Sequence, residues 1–299
     1  MTTLPQAVPQ SEYPFESHFF DTGAGVRLHY LDEGAGDPIL MVHGNPTWSF
    51  YYRRLALALK DQYRVIVPDH VGCGLSDKPD DDRYPYTLAR RIQDLGVLID
   101  HLDLGDRLTL VIHDWGGPIT MGWAVDHPER VRRLVVFNTA AFHFPTVKPL
   151  PGALRLPRDT ALGAFLVQRM NAFARGAAWI GCTRKRMPKA LRDAYCAPYD
   201  TPAHRIATLR FVQDIPLKPG DPAWDLGLRI ESKLAPFRHK PILVCWGEKD
   251  FVFDTAFRAR WETLFPQAEV HRFEDAGHYV LEDAFEDILP RVQDFLART

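Results

Sequence analysis

The stretch VIHDWGGP (residues 111–118) places an aspartate between an apolar run and a pair of glycines. RLTLVIHD (107–114) is a short apolar run that predicts a buried strand, and PITMGWAVDHPERV (118–131) is typical of a helix with proline in its first turn. Because the carboxyl ends of strands in an open parallel sheet are where ligands bind, Asp114 is a candidate nucleophile. The alternative is that Asp114 only caps the helix, since Asp is a good N-cap residue.

Buried-strand patterns alternate with helical patterns on both sides of this turn. The chain begins with a hairpin-like pair of strands, SHFFDTG (17–23) and VRLHYLDEG (26–34). This rhythm predicts an α/β protein with a mostly parallel central sheet flanked by helices. The other predicted strands are PILMVHG (38–44), RVIVPDH (64–70), RRLVVFNTA (132–140), KPILVCWGEKD (240–250) and AEVHRFEDAGH (268–278).

The strand rhythm stops from about residue 140 to residue 230. That stretch is rich in Pro, Arg and aromatic residues and carries no buried-strand pattern. We therefore predict one α/β core, formed by residues 1–139 and 231–299, with an inserted helical cap at residues 140–230.

Composition narrows the class of protein. The 299 residues carry a net charge of -2, with 46% hydrophobic and 25% charged residues, as in an ordinary globular protein. No basic excess indicates nucleic acid as a partner, and acidic and basic residues are mixed along the chain.

The N-terminus and the cysteines favour a cytoplasmic protein. MTTLPQAVPQSEYPF (1–15) has neither the basic start nor the apolar core of a signal peptide, and no apolar run reaches the roughly 20 residues of a membrane helix. The cysteines lack metal-ligand spacing and are predicted to be reduced thiols: Cys73, Cys182, Cys196 and Cys245. We predict neither a metal nor a cofactor.

Two more candidate catalytic residues follow in chain order. Asp250 comes just after the strand in LVCWGEKD (243–250), and His278 lies in the loop EDAGHYVLED (274–283). Nucleophile, acid, histidine is the order of a known catalytic triad. Asp250 would hold the ring of His278 in one tautomer, leaving the other ring nitrogen for a water molecule. Glu248 is the nearest alternative to Asp250, which lies further into the loop.

A third element, HGNPTWSF (43–50), follows the first predicted parallel strand. Asn45 carries a side-chain amide and Trp115 an indole N–H, both neutral donors. Their convergence near Asp114 would form a site for a small leaving anion. The alternative for Trp115 is packing in the core.

At these residues the sequence resembles the α/β-hydrolase superfamily, and within it the haloalkane dehalogenase-like branch with an aspartate nucleophile. The elbow departs from the usual Gly-x-Ser-x-Gly, because Ile112 stands at the first glycine position. In dehalogenases the aspartate displaces a halide, which an Asn and the Trp after the nucleophile bind; Asn45 and Trp115 match that pair. The matching motifs span almost the whole chain: HGNPTW (43–48), VIHDWGG (111–117), WGEKD (246–250) and AGHYVLED (276–283).

Two loops resemble a subgroup more specifically. HGNPTWSFYYR (43–53) and PDHVGCGLSDKP (68–79) look like the β-lactone decarboxylases of bacterial long-chain olefin biosynthesis. The resemblance implies a small apolar substrate, a cis-3,4-dialkyl β-lactone, converted to a cis-alkene and CO2. It also implies association with the neighbouring enzymes of that pathway.

Three alternatives stay open at this point. The first is hydrolytic dehalogenation by the same residues. The second is epoxide hydrolysis, which needs tyrosine donors from the cap, where Tyr195 and Tyr199 are the candidates. The third is a non-catalytic binding protein, although such proteins usually lose a member of the triad.

The aromatic residues of the predicted cap are candidates for an apolar pocket lining. At least half of them are expected to pack within the cap instead. The candidates are Phe142, Phe144, Phe165, Phe173, Trp179 and Phe211.

Overall fold

The computed structural model describes residues 4–23 and 25–299. The first three residues of the N-terminal leader and Ala24 lie outside the described residues. A single sheet runs through the described chain in the order β1-β2-β4-β3-β5-β6-β7-β8. Its strands are β1 (His18–Asp21), β2 (Arg27–Glu33), β3 (Pro38–Val42), β4 (Arg64–Pro68), β5 (Leu108–Asp114), β6 (Val131–Thr139), β7 (Ile242–Gly247) and β8 (Glu269–Phe273).

The sheet is mostly parallel, as the sequence predicts. β2 runs antiparallel to both β1 and β4, and every pairing from β4 through β8 is parallel. All seven residues of β5 are buried, because this strand lies between β3 and β6 near the middle of the sheet. The carboxyl ends of β3, β5, β7 and β8 therefore meet at one edge.

Helices cover both faces of the sheet. Thr87 caps α2, its side chain accepting a hydrogen bond from the backbone N–H of Arg90. The α helices of the described residues are α1 (Arg53–Leu59), α2 (Leu88–His101), α3 (Gly116–Ala124), α4 (Gly152–Asp159), α5 (Ala161–Met170), α6 (Ala172–Ile180), α7 (Lys189–Cys196), α8 (Ile206–Gln213), α9 (Trp224–Ser232), α10 (Thr255–Leu264), α11 (Val280–Asp283) and α12 (Phe285–Arg298). Short 3₁₀ turns lie at Ser49–Tyr52, Pro128–Arg130, Phe144–Thr146, Ala197–Tyr199, Ala203–Arg205 and Ala235–His239.

The core is divided by the sheet into two clusters. In β3, Leu40 and Val42 belong to one cluster, while Ile39 and Met41 belong to the other. This alternation follows from the period of two in a strand, and it explains why these strands read as continuous apolar runs.

Between β6 and β7 the described chain contains the helices α4 to α9 and no strand. This agrees with the interruption of the strand rhythm in the sequence. The division into a core and a cap at residues 140 and 230 stays a prediction. Within residues 4–23 and 25–299, no helix is long and apolar enough to cross a membrane.

Candidate active site

Asp114 ends β5 at a sharp turn into α3. Its φ of 50° lies in the left-handed region, and the Thr139 hydroxyl donates to its carbonyl oxygen at 2.5 Å. Its carboxylate oxygen Oδ1 accepts the backbone N–H of Asn45 at 2.5 Å. The N-cap position of α3 is Trp115, without a side-chain capping hydrogen bond. The interpretation of Asp114 as a mere helix cap is therefore wrong, and its carboxylate faces the loop after β3.

Two glycines make this close approach possible. A Cβ on Gly44 would lie 2.0 Å from Oδ1 of Asp114, and a Cβ on Gly116 would lie 2.0 Å from the carbonyl oxygen of Val42. Any larger residue at either position would push the nucleophile turn away from the end of β3.

His278 lies between two carboxylates. Its Nδ1 is 2.8 Å from Oδ2 of Asp250, and its Nε2 is 3.9 Å from Oδ2 of Asp114. All three side chains are buried. Glu248, the alternative acid, instead forms an ion pair with Arg258 at 2.5 Å. The structure thus brings Asp250, not Glu248, to His278.

The loop that carries Asp250 is fixed by hydrogen bonds at both ends. Asn138, near the end of β6, donates to the carbonyl of Gly247 at 2.9 Å and accepts its N–H at 2.8 Å. Oδ1 of Asp250 accepts the backbone N–H groups of Val252 and Phe253 at 2.7 and 3.1 Å. Oδ2 is therefore left to orient His278.

Burial raises the pKa of Asp114 above its usual value, and the charge of Asp250 adds to this. The charge of His278 and the backbone N–H groups of Asn45 and Trp115 act in the opposite direction. Burial therefore outweighs the hydrogen bonds, and Asp114 takes up a proton at a higher pH than an exposed aspartate does.

The pKa of His278 is raised from its usual value. Burial alone would lower this pKa, but the nearby charges of Asp250 and Asp114 and the hydrogen bond to Asp250 outweigh the burial. The imidazolium form is therefore stabilised in the resting site.

A second buried histidine, His113, holds the backbone of His278 in place. Its Nε2 lies 2.9 Å from the carbonyl oxygen of His278, and burial and the charge of His278 hold its pKa well below the usual value. A neutral ring donates from Nε2 and fixes the loop of His278. The sequence places His113 in the turn but indicates no role for it. A buried histidine within a strand has no motif of its own that would distinguish it from a packing residue.

The two predicted anion donors reach the same cavity. Asn45 and Trp115 both line it, as do Asp114 and His278. One N–H of the Asn45 amide already donates to the backbone carbonyl of Thr208 in α8 at 3.1 Å. The other remains for a ligand. All four predicted residues of the cavity floor converge, and Asp250 lies behind His278.

The cavity has a volume of about 240 Å³ and a largely apolar wall. Of the aromatic candidates, Phe142, Phe144 and Phe173 line it. The others do not: Phe211 packs on the ring of Trp115 with centroids 5.3 Å apart, and Phe165 and Trp179 are exposed on the surface. Three of the six therefore line the cavity, two are exposed and only Phe211 packs inside, so the expectation that at least half pack within the cap is wrong.

His143 is a wall residue that the sequence did not single out. It is buried, it lines the cavity, and neither ring nitrogen has a hydrogen-bond partner within the described part of the chain. Burial lowers its pKa, so the ring is neutral. In the sequence, a histidine between the aromatic residues of FHFP (142–145) is typical of a residue that packs in a core. No motif therefore indicated His143 as a cavity residue. Among the residues that the structure describes, no group of three or more His, Cys, Asp or Glu side chains is arranged to hold a metal ion.

Two relatives are similar to this chain over nearly its full length. A cis-3-alkyl-4-alkyloxetan-2-one decarboxylase from Shewanella oneidensis is 53% identical over 286 residues, covering 96% of this chain and 90% of that protein. A protein of the same name from Xanthomonas campestris is 47% identical over 293 residues, covering 96% and 97%.

Haloalkane dehalogenases are more distant. Haloalkane dehalogenase 2 from Mycobacterium tuberculosis is 36% identical over 274 residues, covering 91% of this chain and 92% of that protein. The crystal structure of a haloalkane dehalogenase from Agrobacterium tumefaciens superposes with a TM-score of 0.82 at 25% identity, covering 95% of this chain and 96% of the other.

The family described by the α/β hydrolase fold matches residues 37–285. That range includes the nucleophile turn, the loop after β3 and the loops that carry Asp250 and His278. The order of the strands and the placement of the buried Asp114 at the end of β5 agree with this match. The chain belongs to the α/β-hydrolase fold family.

Proposed function

We propose that this protein decarboxylates cis-3-alkyl-4-alkyloxetan-2-ones to cis-alkenes and CO2. The observation that carries the proposal is the similarity to two decarboxylases at 53% and 47% identity, against 36% for the dehalogenase. The buried carboxylate of Asp114 at the floor of an apolar cavity supports it, because a dialkyl lactone needs both a nucleophile and an apolar wall.

In the first step, a carboxylate oxygen of Asp114 bonds to C4 of the lactone ring. The bond between C4 and the ring oxygen breaks, and its electron pair leaves a carboxylate on C3. Carboxylates are modest nucleophiles that suit displacement at saturated carbon, and ring strain makes this leaving group a good one. The free N–H of Asn45 and the indole N–H of Trp115 stabilise the new anion; one such donor is worth roughly 3 kcal/mol.

In the second step, the bond between C3 and the carboxylate breaks and its electron pair forms the alkene. The bond between C4 and Asp114 breaks at the same time, so CO2 leaves and the carboxylate of Asp114 is regenerated. Inversion at C4 followed by anti elimination converts a cis lactone to a cis alkene. No water is consumed.

The charges around His278 suit a role in this route. The carboxylates of Asp250 and Asp114 raise the pKa of His278, which stabilises its protonated form. In that form the ring, 3.9 Å from Asp114, attracts and orients the substrate carboxylate. Formation of the ester removes one of the two negative charges, but that of Asp250 remains.

A paired assay tests the assignment of Asp114. A synthetic cis-dialkyl lactone and a bromoalkane are given to the wild type, to Asp114→Ala and to Asp106→Ala, a control at an exposed aspartate. We expect alkene and CO2 from the lactone with the wild type and the control, and none with Asp114→Ala. Full turnover by Asp114→Ala would contradict the proposal.

Turnover in water enriched in oxygen-18 separates the two ways to release the ester. Hydrolysis at the carbonyl carbon of the ester places solvent oxygen in the carboxylate of Asp114, whereas elimination leaves it unlabelled. Mass spectrometry of the peptide that contains Asp114 is the readout. Label accumulating there during lactone turnover would overturn the water-free route.

Dehalogenation is the second candidate, because Asn45 and Trp115 suit a halide as well as a carboxylate. Halide release from the bromoalkane would support it. Epoxide hydrolysis has less support, since the hydroxyls of its candidate donors point elsewhere. Tyr195 donates to Glu282 at 2.6 Å, Tyr199 lies 3.3 Å from the carbonyl of Thr47, and neither lines the cavity.

The proposal extends to the surroundings of the enzyme. A cytoplasmic location and an association with the enzymes that supply the lactone agree with the absence of a membrane-spanning helix from the described residues and with the poor solubility of a dialkyl substrate. Co-purification of the tagged protein with those enzymes is the corresponding test.

A further inference from the structure

Exposed apolar side chains are concentrated on one part of the surface. Of the nine large apolar residues that are strongly exposed in the described chain, six lie on α4, α5 and α6, and a seventh lies in the loop after β7. Leu162, Met170 and Ile180 each expose more than half of their surface. We name this set the entrance face: Leu156, Leu162, Phe165, Met170, Trp179, Ile180 and Phe251.

The cavity opens on this face. Ile180 and Phe251 belong to the entrance face and also line the cavity. Ala153 at the start of α4 and Ala172 at the start of α6 are likewise both exposed and part of the lining. The rim is therefore apolar where it meets solvent.

α5 carries apolar residues on its outer as well as its inner side. Gly163 and Val167 are buried against the protein, while Leu162, Phe165 and Met170 point outward. A surface helix normally presents polar residues on its outer side. A concentration of exposed apolar side chains on neighbouring helices is typical of an interaction surface.

The segment that carries six of the seven residues of the entrance face is rich in basic side chains. Residues 152–196 contain nine Lys and Arg against two Asp, in a chain whose net charge is -2. The guanidinium groups of Arg186 and Arg192 lie 3.5 and 4.0 Å from the ring centroid of Trp179. Six of the basic residues have no carboxylate within ion-pair distance anywhere in residues 4–23 and 25–299: Arg155, Arg169, Arg175, Lys185, Arg186 and Arg192.

We propose that the entrance face docks on the surface of an anionic lipid bilayer. Outward apolar side chains with Trp and Phe, interspersed with Arg, are the composition of interfacial membrane-binding surfaces. The apolar residues enter the boundary of the acyl chains, and the unpaired arginines contact lipid phosphates. On this arrangement an apolar substrate passes from the bilayer to the cavity without crossing water; this last step rests on the proposed function.

The charge argues against a second copy of the chain as the occupant. A twofold interface places the same surface patch of both copies face to face. Here it would bring two strongly basic surfaces together and leave their charges uncompensated. An anionic lipid surface supplies the compensation.

Sedimentation with vesicles tests the docking. The full chain is mixed with vesicles of phosphatidylcholine alone, or of phosphatidylcholine and phosphatidylglycerol in equal parts. We expect binding to the mixed vesicles, little binding to phosphatidylcholine alone, and loss of binding near 1 M salt, where the Debye length is about 3 Å. No binding to the anionic vesicles, or equal binding to both, would overturn the proposal.

Matched variants locate the surface. Phe165→Ser with Trp179→Ser should weaken vesicle binding by on the order of tenfold or more, whereas Val97→Ser with Leu228→Ser, at similarly exposed apolar sites on α2 and α9, should not. Arg169→Gln with Arg175→Gln should also weaken it by on the order of tenfold, with Arg83→Gln and Arg238→Gln as the control pair. Equal losses in the control pairs would show a nonspecific surface and overturn the proposal.

Other occupants give different results. If the free protein forms dimers that the Phe165→Ser, Trp179→Ser variant abolishes, a second copy covers the face. If the purified protein does not bind vesicles but does bind a purified partner enzyme, and the Phe165→Ser, Trp179→Ser variant loses that binding, then another protein covers the entrance face. Either result would contradict docking on a lipid surface.

The proposal and the proposed function fail separately. Asp114→Ala, which loses turnover, should bind vesicles like the wild type. The Phe165→Ser, Trp179→Ser variant should turn over detergent-dispersed lactone normally and lose turnover only for lactone held in anionic vesicles. If vesicle binding is absent while lactone turnover in detergent is intact, only the docking is wrong; the reverse result removes only the lactone chemistry.

Discussion

At Asp114, burial and hydrogen bonding act in opposite directions. Burial favours the neutral acid, while His278 and two backbone N–H groups favour the carboxylate. The result is a carboxylate with few water molecules to displace before it attacks. The same balance would be destroyed by exposure of the turn or by loss of His278.

This balance predicts the pH dependence of the reaction. Because the pKa of Asp114 is raised, kcat/KM for the lactone should fall as the pH falls, starting at a higher pH than the ordinary aspartate pKa of about 3.9 allows. Elimination does not need a neutral His278, so no second rise should follow as that ring loses its proton. A profile that climbs through the pKa of His278 would instead indicate water activation.

Asp250 and Glu248 provide a matched pair of substitutions. Asp250→Asn removes the charge at Nδ1 of His278, so the pKa of His278 should fall and turnover should drop by about a hundredfold or more. Glu248→Gln breaks only the pair with Arg258 and should leave both unchanged. NMR titration of His278 and steady-state kinetics are the measurements. An unchanged His278 titration in Asp250→Asn would refute the assigned role.

The sequence predicted the floor of the site and three aromatic residues of its wall, but not His143. Asp114, Asp250 and His278 could be found because each follows a strand and the order along the chain is informative. His143 could not be found in this way. It stands out only because its ring nitrogens lack hydrogen-bond partners in the described structure, and this depends on how α9 packs against it. The contact of Asn45 with Thr208 likewise depends on where α8 lies.

At the scale of elements, the turn from β5 into α3 packs against the end of β3 through glycine. Gly44→Ala and Gly116→Ala should each destabilise the protein by about 1–3 kcal/mol and reduce turnover, since a Cβ has no room at either position. Urea unfolding and kinetics on the lactone measure the two effects.

Gly176→Ala in α6 is the control for those substitutions. Nothing lies within 4 Å of its Cβ position, so the change should stabilise the protein by about 0.5–1 kcal/mol through helix propensity. If all three glycine variants behave alike in urea, close packing at the turn is not the reason for its glycines.

The strands were easier to predict than the inserted helices. β3 through β7 are buried on both faces, so each gives an apolar run that ends in a turn. The last helix, α12, continues through Pro290. In contrast, the stretch between β6 and β7 could be predicted only as helices and loops, because packing on the core decides where each of its helices begins and ends.

At the scale of the molecule, one buried ion pair joins distant segments. Glu282 in α11 pairs with Arg53 in α1 and accepts the hydroxyl of Tyr195 in α7, while Arg53 also contacts Glu12 near the N-terminus. Both Glu282 and Arg53 have buried side chains. This cluster connects the helices between β6 and β7 with the rest of the protein.

Removing one partner of this pair should be costly. Glu282→Gln leaves the buried Arg53 with only the carboxylate of Glu12, and should lower the free energy of unfolding by at most about 3–5 kcal/mol. Glu286→Gln removes a carboxylate from Arg54 at an exposed pair and should cost at most about 1 kcal/mol. Urea unfolding of both variants measures the difference. Equal effects would show that burial does not govern these pairs.

Positive charge is unevenly distributed along the chain, although the net charge is small. The sequence predicted acidic and basic residues mixed along the chain, and the net charge is close to zero. The positive charge nevertheless collects on residues 152–196, because the acidic residues lie elsewhere. The composition of the whole chain does not reveal this, whereas a count over the segment that carries α4 to α7 does.

The contact between Asn45 and α8 uses a backbone oxygen of Thr208. The side chain of Thr208 bonds elsewhere, to the carbonyl of Arg205. Residue 208 can therefore change identity while the amide of Asn45 keeps its acceptor. The helix α8 thus holds Asn45 through a backbone atom, which stays in place under any substitution that preserves the course of the helix.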